Sequence, residues 1–575
     1  MGPGRRRSQN PCQTMSCMNR QTTRPAFSMK SPQLRREWWK QWRYRIGICG
    51  ALAILGTAVP EARGNVFASH IRLEKLPGES GGGVAIRYIL NEPATAGVVI
   101  EVWDGSRVVR TLAMAAGEPG TFRGENQLVW DGRDEQGVPV CCGVYRVRIT
   151  AAAQGFAEWT QISDDFAPGQ YVYAPTGIGV VRDPLSPYYG RVLVANGRPG
   201  PNAEFLDGDR PGLLKLQADG SVAEEGGWSD GGRSWAGEGD SPGEVEVWGE
   251  RVYAWDAAEQ ELVMLDPEAS AASLRVAWGH TNHPAPGARM TGFAVGTGPG
   301  GNWLWMAQNE AASGPGVYGW ALEDDGTASP GDAGTLVIRA GPGSDLGSAP
   351  WDVAVGPAGE LLVIQSRMAA GDGQPRVLAF PAWTNPAAPL ESAIWMAGGG
   401  QDTMRGATAV AVDPTGSRVA VAFRGVLSGG FFVGGRVMIF DAATGAWVVT
   451  LPGVDQEYSD VDWDAVGNLY VANLSESVWR VYSPPGSNAA TTISVATVDI
   501  GEGSVRPFLE VVRLEGSALV LAVTAQPGST YVIEASADLL QWTPVGTVVM
   551  GESARRETTV PAEGPRRFYR ARSGP

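Results

Sequence analysis

Residues Tyr458 to Tyr482 read Y-S-D-V-D-W-D-A-V-G-N-L-Y-V-A-N-L-S-E-S-V-W-R-V-Y. Val461 and Trp463 alternate with polar neighbours, the pattern of a half-buried strand. Asp464 to Asn468 contains Gly467 and reads as a tight turn, after which Leu469 to Ala472 forms a second, apolar strand and Val478 to Tyr482 a third. Three short strands joined by polar turns make up most of one β-propeller blade. The chain repeats the unit. Asp352-Val-Ala-Val, Glu360-Leu-Leu-Val-Ile and Arg376-Val-Leu-Ala-Phe form one copy, and Thr408-Ala-Val-Ala-Val, Arg418-Val-Ala-Val-Ala and Arg436-Val-Met-Ile-Phe form another.

Working outward, blade starts fall near Gly177, Glu244, Gly292, Trp351, Thr408 and Ser459, 48 to 67 residues apart. That spacing predicts six blades, or seven if a strand at Trp159 to Ile162 helps complete the ring. The 575 residues contain 78 Gly and 40 Pro, and no segment after residue 70 keeps a 3.6-residue apolar period over three turns. The expected fold class is therefore all-β. The V-x-V and L-x-V-A-x strand pairs resemble NHL-type and gluconolactonase-like six-bladed propellers.

The first 64 residues stand apart. They hold 12 of the 46 Lys and Arg but only Glu37 and Glu61 among the acids, and Arg43-Tyr44-Arg45 precedes the apolar run Ile46 to Val59. Ala62-Arg63-Gly64 places small residues at −3 and −1, which predicts a signal peptide over 1–64, cleaved before Asn65. A run of about 14 apolar residues is short of the ~20 that span a bilayer, so no stable membrane insertion is expected after cleavage. The predicted location is secreted: extracellular, periplasmic or on the outer cell surface. The remaining chain has 34 basic and 59 acidic residues, a net charge of about −25. A surface of that sign repels nucleic acid.

Residues 65–152 read as a separate β unit, followed by a linker over 153–172. Its most specific stretch is Leu128-Val-Trp-Asp-Gly-Arg-Asp-Glu-Gln-Gly-Val-Pro-Val, then Gly143-Val-Tyr-Arg-Val-Arg-Ile. This W-D-G-R-D-x-x-G-x-x-V-x-x-G-x-Y pattern closely resembles the Ig-like domain of flagellar hook-capping proteins, also found in many secreted bacterial proteins. The resemblance implies a core position for Trp130 and Tyr145, with Asp131 and Asp134 ordering the turn. The propeller is expected over 173–490 and a further β-module over 491–575. In that module Pro527-Gly-Ser-Thr-Tyr-Val-Ile-Glu-Ala and Arg566-Arg-Phe-Tyr-Arg-Ala look like a C-terminal module common on secreted proteins of Verrucomicrobia-like bacteria.

Chemistry-bearing residues are sparse. Beyond the leader the cysteines are Cys141 and Cys142, adjacent, so no disulfide framework and no cysteine metal site is expected. His280 and His283 form an H-x-x-H pair without an identifiable third ligand, read as a solvated loop. No G-x-S-x-G elbow precedes a helix, and no phosphate-cradling Gly loop opens one. The one constellation with a common geometry is the end of each blade's second strand, at Asn196, Asp256, Gln308, Gln365 and Asn473. In the remaining blade Phe423 holds that place and Arg424 follows it. Equivalent strand ends lie on one face around the axis, so these groups either converge on a central pocket or satisfy backbone groups where strands stop. Gluconolactonase-like propellers put divalent-metal ligands in that region. This chain departs from them, since Asp256 is the only carboxylate in the ring. The expectation is a non-catalytic binding or envelope-organising protein, without cofactor or metal, with a polar glycan or envelope component as partner. The alternative is a propeller hydrolase or lyase acting on a lactone or polysaccharide.

Overall fold

The computed structural model describes residues 65–573 apart from 77–82, 139, 141–143, 201–209, 236–240, 286–287, 311–313, 366–375, 399–405, 429–430, 453–455, 500–506, 517, 526–527, 538–540, 552–554 and 563–567. The expected leader and the cysteine pair lie outside these residues. Among the described residues the secondary structure is almost entirely β, and no helix is long and apolar enough to cross a membrane.

Six four-stranded antiparallel sheets form the propeller. Their innermost strands are Pro175–Val180, Val245–Trp248, Met290–Gly298, Pro350–Val355, Ala407–Val412 and Tyr458–Trp463, in blades one to six. Each innermost strand touches the next, and that of blade six touches that of blade one, so the ring is closed. The hydrophobic core is divided in the same way. Six buried clusters each join two neighbouring blades, one pairing Trp463 and Leu469 with Ala420 and Ile439, and another pairing Trp479 and Tyr470 with Val192 and Leu214. Blades are thus held by side chains packed between sheets, while the second strand of each, buried on both faces, reads as an unbroken apolar run.

Two segments cross the expected domain boundaries. Thr160–Gln161 pairs with Val478–Ser483, in the register Tyr482↔Gln161, and supplies the fourth strand of blade six. The strand expected at Trp159 to Ile162 therefore closes the sixth sheet and adds no seventh. Conversely, Gly486–Asp499, which spans the boundary expected at 490/491, pairs with Val144–Phe156 before the propeller. It edges a sheet that also contains Gly97–Asp104 and Arg107–Met114. That sheet faces a second one, Ala68–Lys75, Val84–Leu90 and Gly124–Trp130, over a shared core. In this N-terminal sandwich Trp130 and Tyr145 are buried edge to face, with centroids 5.2 Å apart. Asp134 Oδ1 accepts the N–H groups of Gln136 and Val138 in the turn between their strands.

The sandwich and the propeller share a polar seam at Asn65. Its carbonyl accepts from Asn91 in the sandwich and from Asn468 in blade six, while Val66 exchanges hydrogen bonds with Asn488. Phe67 packs against Tyr189 of blade one with the rings tilted by 51° and their centroids 5.0 Å apart. The C-terminal module is self-contained by comparison: two three-stranded sheets drawn wholly from Phe508–Ser573, with Leu521, Tyr531, Ile533 and Val560 in its core.

Candidate functional site: the axial cavity

The innermost strands begin at one end of the axis, and there a cavity of about 350 Å³ opens. Its wall is built by a repeated irregularity. In five blades the pairing between first and second strands slips by one residue at the start, a β-bulge that turns one side chain out of the ladder. The bulged residues are Thr176, Thr291, Trp351, Thr408 and Ser459, and all five line the cavity.

The hydroxyls at these positions also stitch the blades together. Thr176 Oγ1 donates to Pro242 O at 2.7 Å, Thr408 Oγ1 to Tyr458 O at 3.0 Å and Ser459 Oγ to Pro175 O at 2.6 Å, each acceptor standing at the entry to the next blade. Their hydrogens are thereby engaged, and their lone pairs remain to accept from a ligand hydroxyl. Trp255, Trp351 and Tyr458 supply aromatic surface, and Gln260, Arg289, Arg424 and Glu457 supply polar head groups. Arg424 is ion-paired with Glu457.

Below the mouth the axis is lined by carboxylates. Glu244 and Glu246 of blade two accept the N–H groups of Phe293 and Val295 in blade three. Asp352 of blade four accepts Val410 N–H of blade five at 2.9 Å, and Asp460 and Asp462 of blade six accept Ile178 and Val180 N–H of blade one, both at 2.8 Å. Burial raises all five above the usual carboxyl range, because the charged form loses its hydration. Asp352 is pushed up to about 7 and Glu246 to about 8. Glu244 and Asp460 are likewise raised well above the usual carboxyl range, by burial first and then by the neighbouring acids. Asp462 is raised less freely, since Arg182 pairs with it. Glu244 and Asp460 border both the mouth cavity and the narrower space beneath it, and so form its floor.

Of the six residues singled out from the sequence, Arg424 lines this cavity. The other five are buried and turned into their own blades. Asn196 accepts Ala174 N–H and donates to Arg210 O, and Gln308 holds the loop through Glu310 and Gly314. Asn473 bonds Gln456, Ser475 and Glu476 N–H. Asp256 pairs with Arg233 at 2.7 Å and accepts from Ser241. Gln365 ends its strand opposite Arg376 and Pro350. These positions cap loops where strands stop, one of the two readings their spacing allows. His283 stacks on Trp278 and His280 on His283, away from the cavity lining.

The axial carboxylates were not singled out by sequence reasoning. Their signal lies in the opening stretch itself, where Asp460 and Asp462 are the polar partners of Val461 and Trp463. Such alternation also suits a strand with one face in water, and that is the easier reading. Arg289 has no sequence signal; it is a single basic residue in a loop.

No protein-family model matches the chain, and no curated protein matches it. Among solved structures it is similar to the β-propeller domain of Cps50 (Swd1) from Myceliophteria thermophila, at 11% identity and a TM-score of 0.30, covering 73% of this chain and 99% of that one. It is also similar to the Trichoderma reesei carbohydrate-active enzyme of family AA12, at 12% identity and a TM-score of 0.36, covering 56% of this chain and 95% of that one. The WD40 propeller domain of Doa1 matches at 11% identity and a TM-score of 0.30, over 59% of this chain and 88% of that one. Likenesses at these scores carry no argument; the ring stands on its own strand pairing.

Proposed function

We propose that the chain is a secreted binding protein whose axial cavity holds a sugar unit of a glycan or cell-envelope polymer. The observation that carries this reading is the juxtaposition of Trp255, Trp351 and Tyr458 with the ring of hydroxyl acceptors at Thr176, Thr408 and Ser459. A sugar presents apolar C–H faces and outward hydroxyls, so an aromatic wall beside fixed acceptors matches both. A cavity of this size lies at the lower end of the range of small-ligand sites, about 300–1,000 Å³. The N-terminal sandwich is read as an Ig-like module of hook-capping type, supported by the packed Trp130–Tyr145 pair and the Asp134 turn. It and the C-terminal module present the propeller outside the cell.

The test is a glycan and cell-wall polymer array probed with the chain from Asn65 onward, kept whole because strands cross between sandwich and propeller. Trp351→Ala should weaken every genuine hit by about tenfold or more, the loss typical of a central aromatic anchor. Hits untouched by Trp351→Ala would move binding away from the axis. A hydrolase or lyase reading has one observation in its favour, the buried carboxyls Glu244 and Asp460 at the cavity floor, raised well above the usual carboxyl range by burial, the direction a general acid requires. Turnover on a lactone and polysaccharide panel that disappears in a folded Glu244→Gln variant would establish it.

A further inference from the structure

We propose that the cavity selects an acidic sugar, a hexuronate unit within a glycan, and that the Arg289 guanidinium takes its carboxylate. This rests on the reading of the cavity as a sugar site and goes beyond it by assigning the charge of the ligand.

The argument begins with the cations that face the cavity. Arg424 has its charge answered on the wall by Glu457. Arg289 has none: its side chain is exposed, it lines the cavity, and among the described residues no hydrogen bond or ion pair reaches its guanidinium. The peptide group that follows it is nonetheless anchored at both its polar atoms. Arg289 O accepts from Asn309 N–H at 3.1 Å, and the next residue, Met290, donates its N–H to Gln260 Oε1 at 3.2 Å. A head group without a partner thus stands on a fixed stem at the rim of a concave site.

The floor does not cancel this charge. In Glu244 and Asp460 burial, reinforced by the neighbouring acids, raises the carboxyl groups well above their usual range and so favours the neutral form. The cavity therefore carries one uncompensated positive charge within a chain whose formal net charge is −15. A guanidinium presents parallel N–H donors matched to the two oxygens of a carboxylate, a geometry a neutral hydroxyl cannot use as fully. A hexuronate bound with its carboxylate at Arg289 places its ring against the aromatic wall and its hydroxyls toward the acceptors at Thr176, Thr408 and Ser459. The strand-end amides give a neutral ligand little basis, because those of Asn196, Gln308 and Asn473 are engaged in their own loops.

The test uses the chain from Asn65 onward and calorimetric titration with oligomers of galacturonate, glucuronate and mannuronate, each paired with its carboxyl-reduced counterpart. At least one uronate should bind about tenfold or more tightly than its reduced form, the contribution of one charge-assisted bidentate contact. Arg289→Gln should remove most of that difference by costing the uronate far more affinity than the reduced form, with Arg289→Lys intermediate. The melting temperature should not move, because the side chain has no described partner. Equal binding of acidic and reduced forms, or equal losses for both in Arg289→Gln, overturns the inference and leaves the sugar site standing. Displacement of the uronate by acetate at equal concentration also overturns it, since an anion site needs no sugar. Failure of every acidic and neutral oligomer to bind removes both readings together.

Discussion

Blades one, three and five differ from blades two, four and six at the axis, although all six share the same strand order. The odd blades read Thr176-Gly-Ile-Gly-Val, Thr291-Gly-Phe-Ala-Val and Thr408-Ala-Val-Ala-Val, with only Gly or Ala at the second and fourth positions. The even blades read Gly243-Glu-Val-Glu-Val, Trp351-Asp-Val-Ala-Val and Ser459-Asp-Val-Asp-Trp, with a carboxylate at the second position of all three and at the fourth position of blades two and six. The reason is steric and electrostatic at once. Each even blade reaches a carboxyl group to a backbone N–H of the following odd blade, and the small residues of the odd blades let blades one and three pack closely against the even blade after each. A Cβ on Gly292 would stand 2.1 Å from Asp352 Oδ1 and 2.9 Å from Asp352 Cα. One on Gly177 would stand 2.2 Å from the carbonyl oxygen of Gly243. A six-bladed ring therefore has threefold chemistry at its centre.

The alternation can be broken most severely from the odd side. Gly292→Val should destabilise the protein by about 3 kcal/mol or more, because overpacking here meets neighbouring backbone that cannot yield. A chemical-denaturation midpoint equal to that of the wild type would show that blades three and four do not approach as described.

Breaking it from the even side should cost less. Asp460→Ala leaves the buried Ile178 N–H without its acceptor, at about 1–3 kcal/mol. Asp460→Asn keeps an acceptor oxygen and should cost well under half as much. If the two variants melt together, the carboxyl group is not serving that N–H, and the threefold pattern is one of sequence alone.

The smallest effect concerns pH. The folded-state values of Asp352, about 7, and Glu246, about 8, lie above the ordinary carboxyl value near 4. Between those limits the native state binds more protons than the unfolded chain, so their contribution to stability is complete below about pH 4 and is lost as pH rises toward 7–8. Thermal melts of wild type and Glu246→Gln between pH 5 and 9 should converge or cross as pH rises, since the amide has no proton to lose. Parallel curves would mean that Glu246 is hydrated and titrates normally.

Much of the fold was legible before any coordinates, and the reason is local. Strand and turn signals such as Val461, Trp463 and Gly467 depend on the pleat and on near neighbours, so the three inner strands of a blade can be read from a short window. The site was less legible. Alternation shows that Asp460 and Asp462 share a face, yet not whether that face meets water or another blade. The strand-end residues Asn196, Gln308 and Asn473 could be aligned by position, but their side-chain direction depends on which loop carbonyls and N–H groups stand within reach.

What required the tertiary structure is pairing across long separations. Tyr482↔Gln161 closes the propeller and Thr150↔Thr491 closes the sandwich, and in both the partner lies more than three hundred residues away. A strand at Trp159 to Ile162 could be expected from the sequence, but its partner could not: Thr160–Gln161 is held because Val478–Ser483 offers it an open edge. The chain thus carries its architecture in short repeats. Its domain seams and the placing of Arg289 at the axial cavity come from which distant segments the ring brings side by side.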